Sequence, residues 1–233
     1  MTTFTPTARA RAKRFHELAS YDEAAIYAVL DAAFLAHISY VIDGQPYATP
    51  TMYWRQGRTL YWHGSSASRM LRHQAGDVPV CVTVAIVDGF VLARSGFNHS
   101  INYRSVMAFG TARIVTDPAE KERELDRSID RLFPGRRDTL RANSAQELKA
   151  TTVIAMEIEE AAVKVASGDP KDDEEDYVAA TCWAGVINVQ QQIGTITPDP
   201  RLPAGKAFPE ALKSYAAGEQ LDEVLRKVAR DLP

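Results

Sequence analysis

Long apolar runs are missing from this sequence of 233 residues, and cysteine is nearly so. No stretch approaches the roughly 20 apolar residues that span a bilayer, so we expect no membrane-spanning helix. The first residues, MTTFTPTARARAKRF, are basic but lack the apolar segment of a secretory signal. The only cysteines, Cys81 and Cys182, have no metal-ligand spacing, so neither zinc nor a disulfide is expected. We therefore expect a protein of the reducing cytoplasm.

The sequence also has little excess of one sign of charge, and it lacks several standard functional motifs. The net charge is −3 and the pI is near 6.0, so the general basic surface of a nucleic-acid-binding protein is missing. The five histidines have no metal-ligand spacing. No glycine-rich phosphate loop follows a predicted strand, and no G-x-S-x-G nucleophile motif is present. We expect no nucleic acid, membrane or metal partner.

The most informative stretch that is present is LYWHGSSASRMLRH, residues 60–73. Ser65 and Ser66 are candidate N-caps of a short helix. Arg69 lies in its first turn, where a cation is unfavourable for an isolated helix, and Arg72 follows on the same side. Serine hydroxyls, free amide groups and guanidinium groups together suit a phosphate. We interpret the stretch as a phosphate site, and the alternative is a capped surface helix with incidental basic residues.

Short apolar segments separated by turn signals predict a mainly β fold. Helices are predicted over 22–34 and 118–132, and strands at 35–42, 47–54, 59–63, 78–87, 105–115, 152–165 and 183–189. We also predict a tight turn at Asp88-Gly89 and a loop over 95–103. About seven short antiparallel strands with peripheral helices indicate a small β-barrel. The predicted divisions are a basic arm at 1–20, a barrel domain at 21–190, and a Pro-rich linker with C-terminal helices at 191–233.

Some conspicuous side chains also have a purely structural interpretation. Tyr53, Trp54 and Trp62 suit a barrel core at least as well as a ligand site. His37, among apolar residues in a strand, is expected to be a core histidine with satisfied hydrogen bonds. The acidic run at 172–176 is expected to be a solvated loop.

Four ordered blocks of this sequence resemble those of a known protein family. They are TPTMYWRQGRTLYWHGSSASRMLR, DGFVLARSGFNHSINYRSVMAFGTARIV, ELKATTVIAMEI and WAGV. The sequence resembles the flavin-nucleotide-binding split-barrel superfamily, and it is similar to the pyridoxamine 5'-phosphate oxidase-related branch that includes the Nim-type nitroimidazole reductases. The resemblance covers residues 9–190. It implies a six-stranded antiparallel split β-barrel that forms a homodimer, with FMN at the interface and a small-molecule substrate.

The resemblance also implies roles for individual residues. One strand would run along the flavin ring and contact it through backbone groups of Thr51, Met52 and Tyr53. A second set would bind the phosphate or line the ring pocket, and it comprises His63, Ser65, Ser68, Arg69 and Arg72. The remaining set would flank the same interface, with the tryptophan reaching the flavin from the second subunit, and it comprises Asn102, Tyr103, Arg104, Ser105 and Trp183. His63 is the expected polar group or proton donor near the flavin.

Two departures from the oxidases narrow the expected activity. Their Ser-Arg-Lys phosphate motif becomes Ser68-Arg69-Met70, where Arg72 could compensate for the lysine. Trp183 is followed by no arginine in WAGVINVQQQ, so the substrate-binding pair of the oxidases is incomplete. Oxidation of pyridoxamine phosphate is therefore disfavoured. We expect an FMN-dependent oxidoreductase acting on a small organic molecule, and the alternatives are a non-catalytic FMN storage or sensing protein and a haem-binding split-barrel protein.

Overall fold

The computed structural model describes residues 2–179 and 182–230, and its strands form one antiparallel sheet with helices around it. The strands are β1 (Ala19–Ser20), β2 (Leu35–Ile42), β3 (Gln45–Gln56), β4 (Thr59–Ser65), β5 (Val78–Leu92), β6 (Ser100–Ile114), β7 (Thr151–Glu157), β8 (Glu160–Ala166) and β9 (Gly185–Asn188). The α-helices are α1 (Glu23–Asp31), α2 (Arg69–Gln74), α3 (Pro118–Asp130), α4 (Ala145–Ala150), α5 (Glu174–Ala179) and α6 (Leu221–Arg230). Short 3-10 helices cover His16–Leu18, Arg137–Thr139 and Glu210–Tyr215.

Six of the strands close into a barrel. Their order is β6-β7-β4-β3-β2-β5, and β5 pairs back with β6 to complete the ring. β8 and β1 extend the sheet beyond β6, and β9 pairs with β5. This arrangement confirms the expected six-stranded antiparallel split barrel with peripheral helices. No helix in the part of the chain that is described is long and apolar enough to cross a membrane.

The barrel core follows from the alternation of side chains along each strand. On β2, Ala36, Ile38 and Tyr40 are buried, and the residues between them lie on the outer face. α1 covers one end of this core with its own buried apolar residues, which are Ile26, Val29 and Leu30. Asp22 caps this helix by accepting a hydrogen bond from the Ala25 amide, which confirms the predicted N-cap.

A second, smaller core lies on the outer face of the barrel, beneath α3. It contains the side chains of Trp54, Tyr61, Val115, Val153, Ala155 and Leu125. The buried Glu124 of α3 accepts hydrogen bonds from Trp54 Nε1 at 3.3 Å and from Arg127 at 2.6 Å. Because a buried carboxylate is costly unless it is paired, these bonds fix α3 on the sheet at this position.

The predicted tight turn at Asp88-Gly89 is wrong, because β5 continues through it to Leu92. The ladder with β6 passes this point with a register shift between Val87 and Gly89, so the Asp-Gly pair forms a bulge. A Cβ on Gly89 would lie 3.1 Å from the carbonyl oxygen of Ile187. The glycine therefore permits the close approach of β9 instead of reversing the chain.

Three other boundaries also differ from the prediction. The single strand predicted at 152–165 is two strands, β7 and β8. They are separated at Ile158 and Glu159, whose amides donate to the carbonyls of Arg58 and Phe109, respectively. β6 begins at Ser100, within the predicted loop, because its pairing with β5 continues that far. β9 begins at Gly185, after Trp183.

The acidic run is not simply a solvated loop. The Asp172 carboxylate is fully covered, and it accepts hydrogen bonds from the Arg94 amide at 2.9 Å and the Arg94 guanidinium at 3.1 Å. Desolvation opposes the charge of Asp172, but these hydrogen bonds outweigh it and lower its pKa. α5, from Glu174 to Ala179, follows directly.

Gly110 marks the closest approach of β6 and the end of β7. A Cβ at this position would collide with the carbonyl oxygen of Glu157 and would lie 2.8 Å from Met156 Cγ. The contact is with backbone, so a flexible side chain cannot absorb it. The barrel therefore requires glycine here, where the strands cross most tightly.

We expect Gly110→Ala to destabilise the protein by about 3 kcal/mol and to lower Tm by roughly 6–12 °C. Thermal unfolding followed by circular dichroism measures this change. Gly96→Ala is the matched control, because a Cβ on Gly96 would meet nothing within 4 Å. Equal Tm values for the two variants would contradict this account of the barrel.

Candidate functional site

The barrel opens where β3 and β4 separate. Their ladder covers only four residue pairs, from Tyr53 with Trp62 to Gln56 with Thr59. The Tyr53 amide donates to the Phe34 carbonyl, on the β2 side. Because N–H groups alternate in direction along a strand, the amide of Met52 points to the β4 side, one residue beyond the last β3–β4 pair. Of the predicted ring-contacting strand, Met52 is therefore the residue at the edge of the opening.

The neighbouring Thr51 and Tyr53 have different surroundings. The Tyr53 side chain is buried in the core, where its hydroxyl donates to the Leu30 carbonyl. The Thr51 hydroxyl lies 3.4 Å from the Met52 carbonyl oxygen. The structural interpretation of Tyr53, Trp54 and Trp62 as core residues is confirmed, since all three are buried.

His63 lies beside this opening on the outer face of β4. Its ring centroid is 5.7 Å from that of Trp54, which stacks in turn on Tyr61. His63 Nδ1 is buried and has no hydrogen-bond partner among the described residues. Burial lowers the pKa of His63, so the imidazole is neutral at pH 7. An unpaired buried nitrogen of this kind is costly unless a ligand satisfies it.

The helix start beyond β4 differs from the prediction in its cap. Ser68 is the N-cap of α2, and its side chain makes no capping hydrogen bond. The expected caps were Ser65 and Ser66, but Ser65 accepts from the Ala67 amide at 3.2 Å within a tight turn. The turn occupies residues 65–67, so the helix begins only after Ser68. Gly64 of β4 leaves room for α2, because a Cβ on Gly64 would lie only 3.0 Å from Leu71 Cδ1.

Two exposed guanidinium groups lie on α2 at the opening. Arg69 stacks on the ring of Tyr47, with its Cζ 4.6 Å from the centroid. Tyr47 stacks on Tyr40 at 5.5 Å, so the arginine rests on a fixed aromatic base. Neither Arg69 nor Arg72 forms an ion pair with a carboxylate of residues 2–179 or 182–230. The positive charge of these residues is therefore available to an anion.

The remaining predicted site residues lie elsewhere on the same chain. Asn102, Tyr103, Arg104 and Ser105 belong to β6, and β2 and β5 separate them from β3. Three inter-strand spacings correspond to about 14 Å along the sheet. Asn102 donates to the Gly168 carbonyl at 3.0 Å, and Trp183 is 67% exposed. One chain therefore brings together the residues of β3, β4 and α2, but not these.

A second opening, which the sequence did not reveal, lies between β2 and β5. The two strands pair over three residues only, His37–Ser39 with Cys81–Thr83, and then diverge. The cavity in this gap has a volume of about 520 Å³ and extends to the start of α6. Arg104 lies in its wall, where it donates to Asp88 at 2.6 Å and Asp222 at 3.0 Å. Hydrogen bonds to Asp88 and Asp222 outweigh the effect of burial and raise the pKa of Arg104, which is always a cation.

The expectation that His37 is a satisfied core histidine is wrong. Its side chain is exposed at the cavity, and it makes no hydrogen bond to any described residue. The apolar neighbours Ala36 and Ile38 that suggested a core position point to the opposite face of β2. Strict alternation along the strand was the signal that could have placed His37 outside.

The chain is similar to one protein family and to several solved structures. The family model described as pyridoxamine 5'-phosphate oxidase matches residues 22–165. The structure of the flavocytochrome Anf3 from Azotobacter vinelandii is 42% identical and has a TM-score of 0.86, with 92% of this chain and 100% of that chain covered. The FAD and haem binding protein from Mycobacterium smegmatis is 36% identical and has a TM-score of 0.82, with 88% and 98% covered.

A more distant structure agrees in fold alone. A proposed 5-nitroimidazole antibiotic resistance protein from Bacteroides thetaiotaomicron is 22% identical, with a TM-score of 0.50 over 63% of this chain and 86% of that one. A search of the curated proteins finds no match. The family model, which covers more than half of the chain, and the barrel lead to the same assignment. The chain belongs to the pyridoxamine 5'-phosphate oxidase family of split-barrel proteins.

Proposed function

We propose that this protein is a redox protein that binds both a flavin nucleotide and haem and transfers electrons to or from a small molecule. The observation behind the proposal is the sequence identity of this chain, 42% and 36%, to two solved relatives over nearly their whole length. One is described as a flavocytochrome and the other as an FAD and haem binding protein. The sequence left a flavin-dependent oxidoreductase and a haem-binding protein as alternatives, and the proposed function combines flavin binding and haem binding in one protein.

The opening between β3 and β4 fits the flavin in three respects. Met52 lies just beyond the β3–β4 ladder with its amide towards the opening, His63 presents an unpaired buried nitrogen, and Arg69 presents a guanidinium without an ion-pair partner among the described residues. A flavin nucleotide needs a hydrogen-bonding edge for its ring and a cation for its phosphate. Both FMN and FAD have these groups, so the shared chemistry is that of a phosphorylated flavin.

Each of these residues has a distinct task. Arg69, held against Tyr47, binds the phosphate and fixes the position of the flavin. The Met52 backbone hydrogen-bonds the ring edge, and the neutral His63 donates or accepts one hydrogen bond at Nδ1. The bound flavin supplies the electron-transfer chemistry. Burial beside Trp54 lowers the pKa of His63 and keeps its imidazole in the neutral form.

We propose a homodimer in which the second chain completes the flavin site. The end of the β5–β6 hairpin, β9 and the residues just before β9 expose large apolar side chains, namely Phe90, Ile101, Ile187 and Trp183. Contiguous apolar surface of this kind is typical of protein interfaces. Light scattering should give twice the chain mass of 25.7 kDa. Asn102 lies on the same hairpin and would reach the partner's flavin, whereas Arg104 is held by Asp88 and Asp222 of its own chain.

The direct test of the proposed function is the absorbance of the full-length protein as purified. We expect both flavin bands and a Soret band, and bleaching of the flavin by NADH, NADPH or a chemical reductant. Chromatography of the released flavin distinguishes FMN from FAD. A protein that holds no flavin after incubation with either nucleotide would exclude the flavin half, and one that holds no haem would exclude the other. A flavin that no reductant can reduce would indicate storage or sensing instead.

Arg69→Ala should weaken flavin binding by about 10- to 100-fold, because a charge-assisted bond to the phosphate is lost. Fluorescence titration of the flavin-free protein measures this affinity. Arg14→Ala is the matched control, since Arg14 is also an exposed arginine stacked on an aromatic ring, that of Phe15 at 4.9 Å. Similar affinities for both variants would remove Arg69 from the site.

His63→Ala should retain flavin but slow its reduction by about 100-fold, as expected for loss of a positioned proton donor or acceptor. Burial lowers the His63 pKa below its ordinary value of 6.5 in the folded protein, so the unfolded chain binds the proton more readily. The stability due to the neutral form is present above pH 6.5 and is lost as the pH falls towards the folded pKa. Acid should therefore destabilise the original protein more than the variant, as measured by denaturant unfolding at pH 7 and pH 5. Unchanged reduction and pH dependence would refute this role.

A further inference from the structure

We propose that haem binds in the cavity between β2 and β5 and that His37 is its axial ligand. This inference rests on the proposed function and deepens it by naming the residue and the place. The cavity exists because β2 and β5 separate after the His37–Thr83 pair, and α6 covers the gap. Its volume of about 520 Å³ lies within the 300–1,000 Å³ that is usual for cofactor sites.

The lining of the cavity has the chemistry that haem requires. The apolar part of the lining consists of Phe34, Leu35, Ile86, Val87, Leu221 and Leu225. Such residues suit a large planar apolar ring and exclude water from it. The polar part includes the amide side chains of Gln190, Gln191 and Gln220, and Arg104, which is paired with Asp88 and Asp222. Amide N–H groups are suitable donors to the carboxylates of haem.

His37 is the histidine best placed for an iron atom. Its imidazole opens into this cavity and makes no hydrogen bond to the residues that the structure describes. His73 Nε2 is bonded to the Val41 carbonyl at 2.8 Å, and His99 Nδ1 to the Ser95 carbonyl at 2.8 Å. The His16 side chain is 82% exposed beside Glu17, outside any cavity. His63 is covered by Trp54 and lies at the other opening.

Charged residues hold part of the cavity wall in place. Arg104 bridges Asp88 of β5 and Asp222 of α6, so one guanidinium joins the strand to the helix across the rim. Arg226 reaches the same Asp222 carboxylate at 3.3 Å. These bonds keep α6 over the gap when nothing else fills it. Arg104 is therefore a positioning residue for the cavity.

The position of His37 also relates the two cofactor sites. His37 is the direct ladder partner of Pro50, and Met52 lies two residues further along the same strand. Opposed residues about 5 Å apart and a two-residue step of about 7 Å place the backbones of His37 and Met52 about 8 Å from each other. A haem ligand and the flavin-binding edge thus occupy neighbouring strands, which suits electron exchange between the cofactors.

The test uses three forms of the full-length protein, namely the original sequence, His37→Ala and the control His16→Ala. Each is incubated with haemin, freed of excess by gel filtration, and examined by absorbance in the ferric and ferrous states. We expect the original and the control to keep a Soret band with the spectrum of an imidazole ligand. We expect His37→Ala to retain at least about tenfold less haem while its flavin content stays the same. Added imidazole should restore the Soret band of His37→Ala.

The outcomes separate this inference from the proposed function. If the original protein takes up no haem, the haem half of the proposed function fails, and the inference fails with it. If the original protein binds haem and His37→Ala has the same affinity and spectrum, the function stands and the assignment of His37 is wrong. A variant that loses flavin while keeping its Soret band would assign the cavity to the flavin instead. Circular dichroism melting of His37→Ala, compared with His16→Ala, shows whether any loss arises from unfolding.

Discussion

Two interrupted ladders determine where this barrel can bind a ligand. β3 pairs with β4 over four residues, and β2 pairs with β5 over three, before the strands separate. Backbone N–H and C=O groups at such gaps lose their ladder partners, and a buried group without a partner is costly. The gaps are therefore either filled by other parts of the chain or left for a bound molecule. Here α2 borders one gap and α6 covers the other.

Buried polar contacts hold α6, which covers the gap between β2 and β5. Arg131 is buried at the end of α3 and donates to the carbonyls of Asp31 at 2.6 Å and Leu225 at 3.2 Å. These two carbonyls belong to α1 and α6, so one guanidinium ties three helices together. Burial lowers the pKa of Arg131, but its hydrogen bonds to carbonyl oxygens satisfy the charged form. α6, from the far end of the chain, is in this way part of the cavity wall.

The two sites share a strand pair and yet differ in character. Around Met52 and Arg69 the groups are hydrogen-bonding and cationic, as a phosphorylated ring requires. Around His37 the lining includes large apolar side chains and one imidazole without a hydrogen-bond partner among the described residues, which suits the proposed haem. The pairing of His37 with Pro50 makes the sites neighbours. The two openings lie on neighbouring strands, as the proposed pair of interacting cofactors would require.

Local sequence was sufficient for the features that depend on neighbouring residues. The Asp22 cap, the Asp117-Pro118 helix start and strands β2 to β4 were all predicted, because caps, turns and alternation act over a few residues. The ordered family blocks identified the barrel and the stretch 60–73. Only the tertiary structure decided that Asp88-Gly89 is a bulge, that Asp172 is a covered partner of Arg94, and that His37 opens into a cavity. These features depend on which strand or helix packs alongside, and contacts between residues distant in sequence leave no local pattern.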